Sequence, residues 1–155
     1  MKRFGIFMIP IFAILVMLSC TDAQKPSEEP INEDTITRTA PDTTSTANVQ
    51  LIYFHATNRC VTCNAVEDQA KKLLTEQYKT QLDNGTIAFG SYNLQEEENT
   101  NLVQKYQITF STLLLISKKN GADSVNNLTD MAFQYAKNQP DKYKELLKIE
   151  LDKNL

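Results

Sequence analysis

The sequence predicts an α/β domain with a central mixed sheet of about four strands flanked by helices. Three observations favour this class: a short run of β-branched, aliphatic and aromatic residues at 49–56, a repeat of apolar residues at helical spacing directly after it, and a Lys-Asn-Gly turn between two later strand-like runs. The chain has 155 residues, of which 41% are hydrophobic and 23% are charged. This length and composition are typical of one globular domain.

The first 19 residues are predicted to be a signal peptide. Lys2 and Arg3 give a positive start, and residues 4–18 follow without a charge, a stretch shorter than the roughly 20 apolar residues of a membrane-spanning helix. Ser19 and Cys20 come next, so the segment resembles a bacterial lipoprotein signal, in which the cysteine is lipidated. An uncleaved anchor and a plain secretory signal are the alternatives, and each would also export the rest of the chain.

Residues 20–48 are predicted to be a flexible tether that begins at the lipidated Cys20. Positions 21–48 hold seven Thr, three Pro and few large apolar side chains, so they bury too little apolar surface to offset the entropy cost of ordering. The expected location is the cell envelope. There, lipid on Cys20 would hold the chain to a membrane, with the domain facing the periplasm or carried at the outer membrane.

Residues 49–155 carry the periodic signals and are expected to form one domain. The run 49–56 is too short for a helix and predicts a buried central strand. Apolar or small residues then recur every three or four positions, which predicts a helix from near Cys60 to about Leu82, ended by the Asn84-Gly85 turn. The later elements are predicted in the order strand, short helix, strand, strand and helix, at 86–93, 101–106, 112–117, 124–128 and the C-terminal tail. This order gives a parallel strand pair and an antiparallel hairpin.

Charge and motif content exclude several function classes. With 16 Lys and Arg against 19 Asp and Glu, the formal net charge is -3, so nucleic acid is not an expected partner. One His and four Gly leave little from which to build a Ser-His-Asp triad or a Gly-rich nucleotide loop. No cofactor is expected.

Cys60 and Cys63 form a Cys-x-x-Cys pair where the first strand gives way to its helix. This spacing places both sulfurs on the first helical turn, where unpaired backbone N–H groups and the helix dipole stabilise a thiolate at Cys60. Cys60 is therefore the predicted nucleophile. Cys63 is the predicted resolving thiol, since it can attack a mixed disulfide on Cys60 from within the same molecule.

Over residues 49–128 the chain resembles the thioredoxin-like family, with the C-terminal helix as the closing element. Residues 54–60 resemble the family's passage from strand to active site, 105–116 resemble its passage from helix to strand opposite the cysteines, and 119–121 match its hairpin. Within the family, the chain is most similar to small exported lipoproteins, some of which are labelled as a nitrophenyl-compound nitroreductase subunit family. The resemblance implies a three-layer α/β sandwich and thiol–disulfide oxidoreductase chemistry.

Two positions depart from the family pattern. Ser111 stands where the family has a cis-proline, and a cis bond before a non-proline residue costs about 2.5 to 4 kcal/mol, so a trans or reshaped loop is expected. Tyr53 stands where the family has a buried carboxylate that moves the proton of the resolving thiol. With an ordinary pKa near 10, a tyrosine is a poor base at neutral pH.

Three further side chains are candidates for the site. His55, the single histidine, could move protons, or it could be a strand-end side chain bonded to backbone. Arg59 could add positive potential beside Cys60, or it could be an exposed solubilising residue. Ser111 could hydrogen-bond a thiolate, or it could only fill its loop.

The expected function is exchange of electrons between the cysteine pair and a partner protein, with a dithiol or disulfide client on one side and a redox donor or acceptor on the other. Three alternatives stay open. The pair could be a permanent structural disulfide. Cys60, Cys63 and His55 could instead bind Cu(I) or Zn(II). The domain could also be a non-catalytic subunit of a redox complex.

Overall fold

The computed structural model describes residues 47–119 and 121–155. The predicted signal peptide, the lipidation site Cys20 and the tether up to residue 46 lie outside the described residues. The strands are β1 (Val49–His55), β2 (Ile87–Asn93), β3 (Thr112–Lys119) and β4 (Ala122–Asn127). The α-helices are α1 (Val61–Gln77), α2 (Lys79–Asp83), α3 (Thr100–Lys105), α4 (Thr129–Tyr135) and α5 (Pro140–Asp152).

The four strands form one mixed sheet in the order β2-β1-β3-β4. β1 runs parallel to β2, with Val49 opposite Ile87 and His55 opposite Asn93. β1 is antiparallel to β3, which is antiparallel to β4. Helices cover the sheet, so the predicted α/β fold class is confirmed, together with its parallel pair and antiparallel hairpin. The parallel pair is joined through α1, as the crossover between parallel strands requires.

The central strand β1 is buried on both faces because successive side chains of a strand point in opposite directions. Leu51 and Tyr53 pack into a cluster with apolar side chains of α1, α4 and α5. Ile52 and Phe54 pack on the other face into a smaller cluster that α3 flanks. The molecule therefore has three layers. Strand β1 lies in the core, and the chain passes from its end to the start of α1.

The prediction of one helix from near Cys60 to about Leu82 is wrong in one respect, because this segment forms two helices that meet at Tyr78. At Tyr78 the backbone leaves helical geometry, with φ of -125° and ψ of 20°. The buried Tyr78 hydroxyl donates a hydrogen bond to the Oδ1 atom of Asp152, at 2.6 Å. Asp152 ends α5, so a contact with the far end of the chain accompanies the break, and apolar periodicity within the helix carries no sign of it.

The hairpin strands reach closer to their turn than predicted, since β3 runs to Lys119 and β4 starts at Ala122. Gly121 has a φ of +80°, a conformation that suits glycine and allows a tight turn. The predicted helical tail is divided into α4 and α5, and Pro140 opens α5 as expected from its fixed φ. None of the helices within 47–119 and 121–155 is long and apolar enough to cross a membrane.

Candidate functional site

Cys60 lies at the N-terminal cap of α1. Its backbone is extended, with φ of -80° and ψ of 166°, and its Sγ atom accepts a hydrogen bond from the Cys63 backbone N–H at 3.2 Å. This is the position in which a side chain satisfies an otherwise unpaired N–H group of the first turn. Cys60 is exposed, whereas Cys63 faces the core and is 9% exposed. The outer sulfur is therefore open to a partner and the inner one is shielded.

The two sulfurs lie next to each other as free thiols. Their Sγ atoms are 2.6 Å apart, within hydrogen-bond distance. The hydrogen bond from the Cys63 side chain, helped by the Cys63 backbone N–H, lowers the pKa of Cys60 below its ordinary value. An exposed thiol with a lowered pKa is the nucleophilic form of cysteine, and its neighbour is in reach for an intramolecular second attack.

The reaction rate of Cys60 with iodoacetamide is expected to stay high to a lower pH than that of an ordinary thiol, whose pKa is near 8.5. The thiolate is the reactive form, so the midpoint of the rate profile reports the lowered pKa of Cys60. In a Cys63→Ala variant the main hydrogen-bond donor is gone, and the midpoint should rise toward the ordinary value. The same midpoint in both proteins, with alkylation assigned to Cys60 by peptide mass, would contradict this role for Cys63.

Tyr53 lies in β1 and is completely buried. Its hydroxyl has no hydrogen-bond partner within the described part of the chain. Burial, and after it the nearby Cys63 thiol, raise the pKa of Tyr53 well above its ordinary value, although the charge of Arg59 acts in the opposite direction. Tyr53 therefore keeps its proton at neutral pH and is no base, in agreement with the expectation from the sequence.

Arg59 lies among other site residues and is only 23% exposed at its side chain. Its guanidinium forms an ion pair with Glu67 at 2.5 Å and donates a hydrogen bond to the Cys63 carbonyl oxygen at 3.2 Å. The guanidinium carbon also lies 5.6 Å from the centre of the Tyr53 ring, within cation–π range. The interpretation of Arg59 as an exposed solubilising residue is therefore wrong, because these contacts hold it against the site.

Glu67 is a buried carboxylate that the sequence interpretation missed. It accepts contacts from Arg59 and, at 2.7 Å, from the Lys71 ammonium one turn along α1. Burial alone would raise the pKa of Glu67, but the hydrogen bonds and charges of Lys71 and Arg59 outweigh it and lower the pKa below its ordinary value. One signal was available, because Glu67 follows Cys63 by four residues and so shares its helix face.

His55 ends β1, and its Nδ1 atom lies 3.0 Å from the Ala56 carbonyl oxygen. Because a carbonyl only accepts, Nδ1 donates in this bond. The structure thus has the backbone-bonded arrangement, which was one of the two interpretations. Within residues 47–119 and 121–155 no three His, Cys, Asp or Glu side chains are grouped so that they could hold a metal ion. The structure does not bring His55, Cys60 and Cys63 together as the alternative metal site requires.

Ser111 lies half-buried in the loop that leads into β3. The side-chain hydrogen bond of this loop comes from the next residue, since the Thr112 hydroxyl donates to the Phe110 carbonyl oxygen at 2.8 Å. Phe110 itself is 62% exposed, and Val61, directly after Cys60, is 69% exposed. Two large apolar side chains beside predicted site positions are therefore open to solvent.

A polar network fixes the loop before Cys60 to the end of β2. The Thr57 backbone N–H donates to the Gln95 side chain at 2.8 Å, and the Asn93 amide donates to the Thr57 hydroxyl at 2.9 Å. Asn99 in turn donates to the Asn93 carbonyl oxygen at 2.8 Å, and Glu96 accepts from both asparagines. Glu96, the first of three consecutive glutamates, thus supports the segment that carries Cys60.

Comparison with solved structures finds chains that are similar to this one at low sequence identity. A thioredoxin from Thermus thermophilus, determined in solution, is 16% identical with a TM-score of 0.43, over 69% of this chain and 76% of that chain. A structure described as a malarial protein is 21% identical with a TM-score of 0.37, over 53% of this chain and 82% of that chain. No family model and no curated protein matches the chain. The roles of its residues follow from its own geometry.

Proposed function

We propose that this chain is a thiol–disulfide exchange protein that uses Cys60 and Cys63 to pass electrons to or from a partner protein. The observation that carries the proposal is the asymmetry of the pair, since an exposed thiol with a lowered pKa lies 2.6 Å from a shielded thiol at the start of a helix. A structural bridge needs no such asymmetry. An exchange cycle needs one exposed thiol that attacks the partner and a second thiol that then resolves the mixed disulfide.

The cycle in the reducing direction has two displacements. The Cys60 thiolate attacks one sulfur of the client disulfide, a bond forms between them, and the other client sulfur leaves as a thiolate that takes a proton from water. The Cys63 thiol then loses its proton and attacks Cys60, which releases the second client sulfur. The client gains two electrons, and the cysteine pair is left oxidised as the Cys60–Cys63 disulfide until a donor protein reduces it. With the oxidised pair and a dithiol client, the same steps run backward, and the client loses two electrons to the Cys60–Cys63 disulfide.

Titration of the free thiols in a graded redox buffer tests this proposal on the full chain. Reversible two-electron behaviour of the pair, lost in both Cys60→Ser and Cys63→Ser variants, is the expected result. A pair that stays oxidised in mild reductant would leave only the structural bridge. The same titration with Cu(I) or Zn(II) added tests the metal alternative, because tight uptake that a His55→Ala variant loses would favour metal binding.

The proposal includes a lipid tether in the cell envelope. Its support is the sequence of residues 1–20 and the sequence resemblance to small exported thioredoxin-like lipoproteins, some of which are labelled as a nitrophenyl-compound nitroreductase subunit family. Exposed Val61 and Phe110 would contact the client.

Growth of cells with labelled fatty acid tests the tether. Incorporation of the label into the chain, abolished by Cys20→Ser, is the expected result. Export without any such label would instead indicate a plain secretory signal or an uncleaved anchor.

A further inference from the structure

We propose that Tyr53 donates a hydrogen bond to the Cys63 thiolate during resolution, and thereby assists this thiol without accepting its proton. This inference rests on the proposed exchange function. It assigns a role to a hydroxyl that otherwise has none, since buried polar groups are nearly always hydrogen-bonded and each exception needs an explanation. The Tyr53 hydroxyl is such an exception among the described residues.

The position of Tyr53 is fixed by the sheet. It lies in the central strand, paired with Ser91 on one side and Leu113 on the other, and it is 0% exposed. The hydroxyl therefore cannot swing out to water. The Tyr53 side chain belongs to the cluster that includes Val66 and Ala70 of α1.

Several polar groups lie around Tyr53. The Arg59 guanidinium, which donates a hydrogen bond to the Cys63 carbonyl oxygen, lies with its carbon 5.6 Å from the centre of the Tyr53 ring. Both Cys63 and Arg59 act on the pKa of the Tyr53 hydroxyl. The His55 ring lies 6.0 Å away between centroids, and Tyr143 is close enough for its own pKa to be raised by Tyr53, after burial. The Tyr143 hydroxyl is already used, because it donates to the Val66 carbonyl oxygen at 3.2 Å. Of these groups, Cys63 is the one that becomes a strong hydrogen-bond acceptor during the cycle, because it turns into a thiolate.

The reduced pair explains why the hydroxyl is idle in this structure. The Cys63 thiol shares its proton with the Cys60 sulfur at 2.6 Å, and a neutral thiol is a weak acceptor. After Cys60 has joined a client, that interaction is lost and Cys63 must become a thiolate in surroundings that are 9% exposed. Burial disfavours the charged form of a cysteine, so a neighbouring O–H donor stabilises it.

The step balances without any further reactant. Cys63 gives its proton to water and its thiolate, held by the Tyr53 O–H and by the positive charge of Arg59, attacks the Cys60 sulfur. The Cys63–Cys60 bond forms, the bond between Cys60 and the client breaks, and the electron pair leaves with the client sulfur, which takes a proton from water. Tyr53 keeps its proton throughout.

Reaction of the reduced full chain with dithionitrobenzoate separates the two thiols. Attack by Cys60 releases one thionitrobenzoate and leaves a mixed disulfide, and attack by Cys63 releases a second. In Tyr53→Phe we expect the first release to be unchanged and the second to be about threefold slower near neutral pH, because less of Cys63 is present as thiolate while the thiolate that remains is more nucleophilic. The rate profile of the second release should shift to higher pH.

Matched variants show whether the effect is specific. Tyr92→Phe removes another buried hydroxyl, whose pKa burial raises to about 12, from the opposite face of the sheet, and it should leave both releases unchanged. Cys63→Ser should lose the second release. A Cys60→Ser/Cys63→Ser double variant gives the contribution of Cys20. Fluorotyrosine at position 53, a stronger donor than tyrosine, should speed the second release, which covers the case in which Tyr53→Phe does not fold.

The failure of this inference is distinct from failure of the proposed function. A second release in Tyr53→Phe within twofold of the unaltered chain would overturn the role of Tyr53 while leaving exchange intact. If the unaltered chain gives no second release, exchange fails. In that case, the rate of Cys63 alkylation, measured against pH in a Cys60→Ser background, still tests the role of Tyr53. If the hydroxyl stabilises the thiolate, Tyr53→Phe must move the midpoint of this rate profile to higher pH.

Discussion

A Cys63→Ser variant is expected to accumulate a covalent complex with its client through Cys60. Cys60 remains exposed and keeps the backbone N–H hydrogen bond of residue 63, so the first displacement proceeds. The second displacement loses its intramolecular nucleophile, and only external thiols remain to resolve the complex. Since well-oriented intramolecular attack has a very high effective concentration, the lifetime of the mixed disulfide should rise at least about 1,000-fold.

Electrophoresis without reductant, after rapid alkylation of cells, measures this result. The Cys63→Ser chain should run as a larger species that reductant converts to the free chain, and mass spectrometry of the released protein identifies the client. Cys60→Ser and the double variant are the matched controls and should show no such species. Equal amounts of complex in Cys60→Ser and Cys63→Ser would mean that neither sulfur is the specific nucleophile.

A Glu67→Gln variant is expected to lower the free energy of unfolding by about 2 to 3 kcal/mol. Glu67 is nearly buried between Arg59 at 2.5 Å and Lys71 at 2.7 Å. Removing one member of such a buried pair leaves the other charge without compensation, at a cost of about 3 to 5 kcal/mol. Arg59 retains 23% exposure and Lys71 40%, so solvent screens part of the loss. Urea unfolding gives the difference directly.

Glu76→Gln is a matched control in the same helix. Its carboxylate is half exposed and lies 3.9 Å from the Lys72 ammonium one turn away, so its removal should cost less than about 0.5 kcal/mol. A Glu67→Gln variant that is as stable as Glu76→Gln would show that the Arg59–Glu67–Lys71 cluster does not stabilise the fold.

The stabilising effect of Glu67 should also depend on pH. Its pKa in the folded protein lies below its ordinary value because Lys71 and Arg59 outweigh the effect of burial. A group with a lowered folded-state pKa stabilises the protein above its unfolded pKa, near 4.3, and loses this effect as the pH falls through the folded-state pKa. The difference between the unaltered chain and Glu67→Gln should therefore be constant near pH 7 and shrink below about pH 4.

The fold class and the cysteine pair could be predicted from the sequence because their signals are local. A short apolar run indicates strand β1, apolar residues at every third or fourth position indicate α1, and a turn that contains Gly121 indicates the hairpin. The Cys-x-x-Cys spacing gives the position of Cys60 at the helix start for the same reason, since three residues fix one helical turn. Each of these patterns lies within one stretch of neighbouring residues.

The surroundings of the pair could not be predicted in this way. Whether Arg59 faces solvent or the core depends on Glu67, in the second turn of α1, and on Tyr53, in strand β1. The break at Tyr78 depends on Asp152, 74 residues later in the chain. Contacts of this kind appear only after the elements have packed.

The sequence by itself determined the four strands and most of the helices, one parallel pair and one antiparallel hairpin, and which two thiols stand at the start of a helix. The tertiary structure decided that Cys60 is exposed and Cys63 shielded, and that the half-buried Arg59 pairs with the buried Glu67 beside Cys63. It also decided that the Tyr53 hydroxyl has no hydrogen-bond partner among the described residues. The physical reason is that periodicity and turn chemistry are properties of adjacent residues. Burial, pairing and pKa arise from residues brought together by packing.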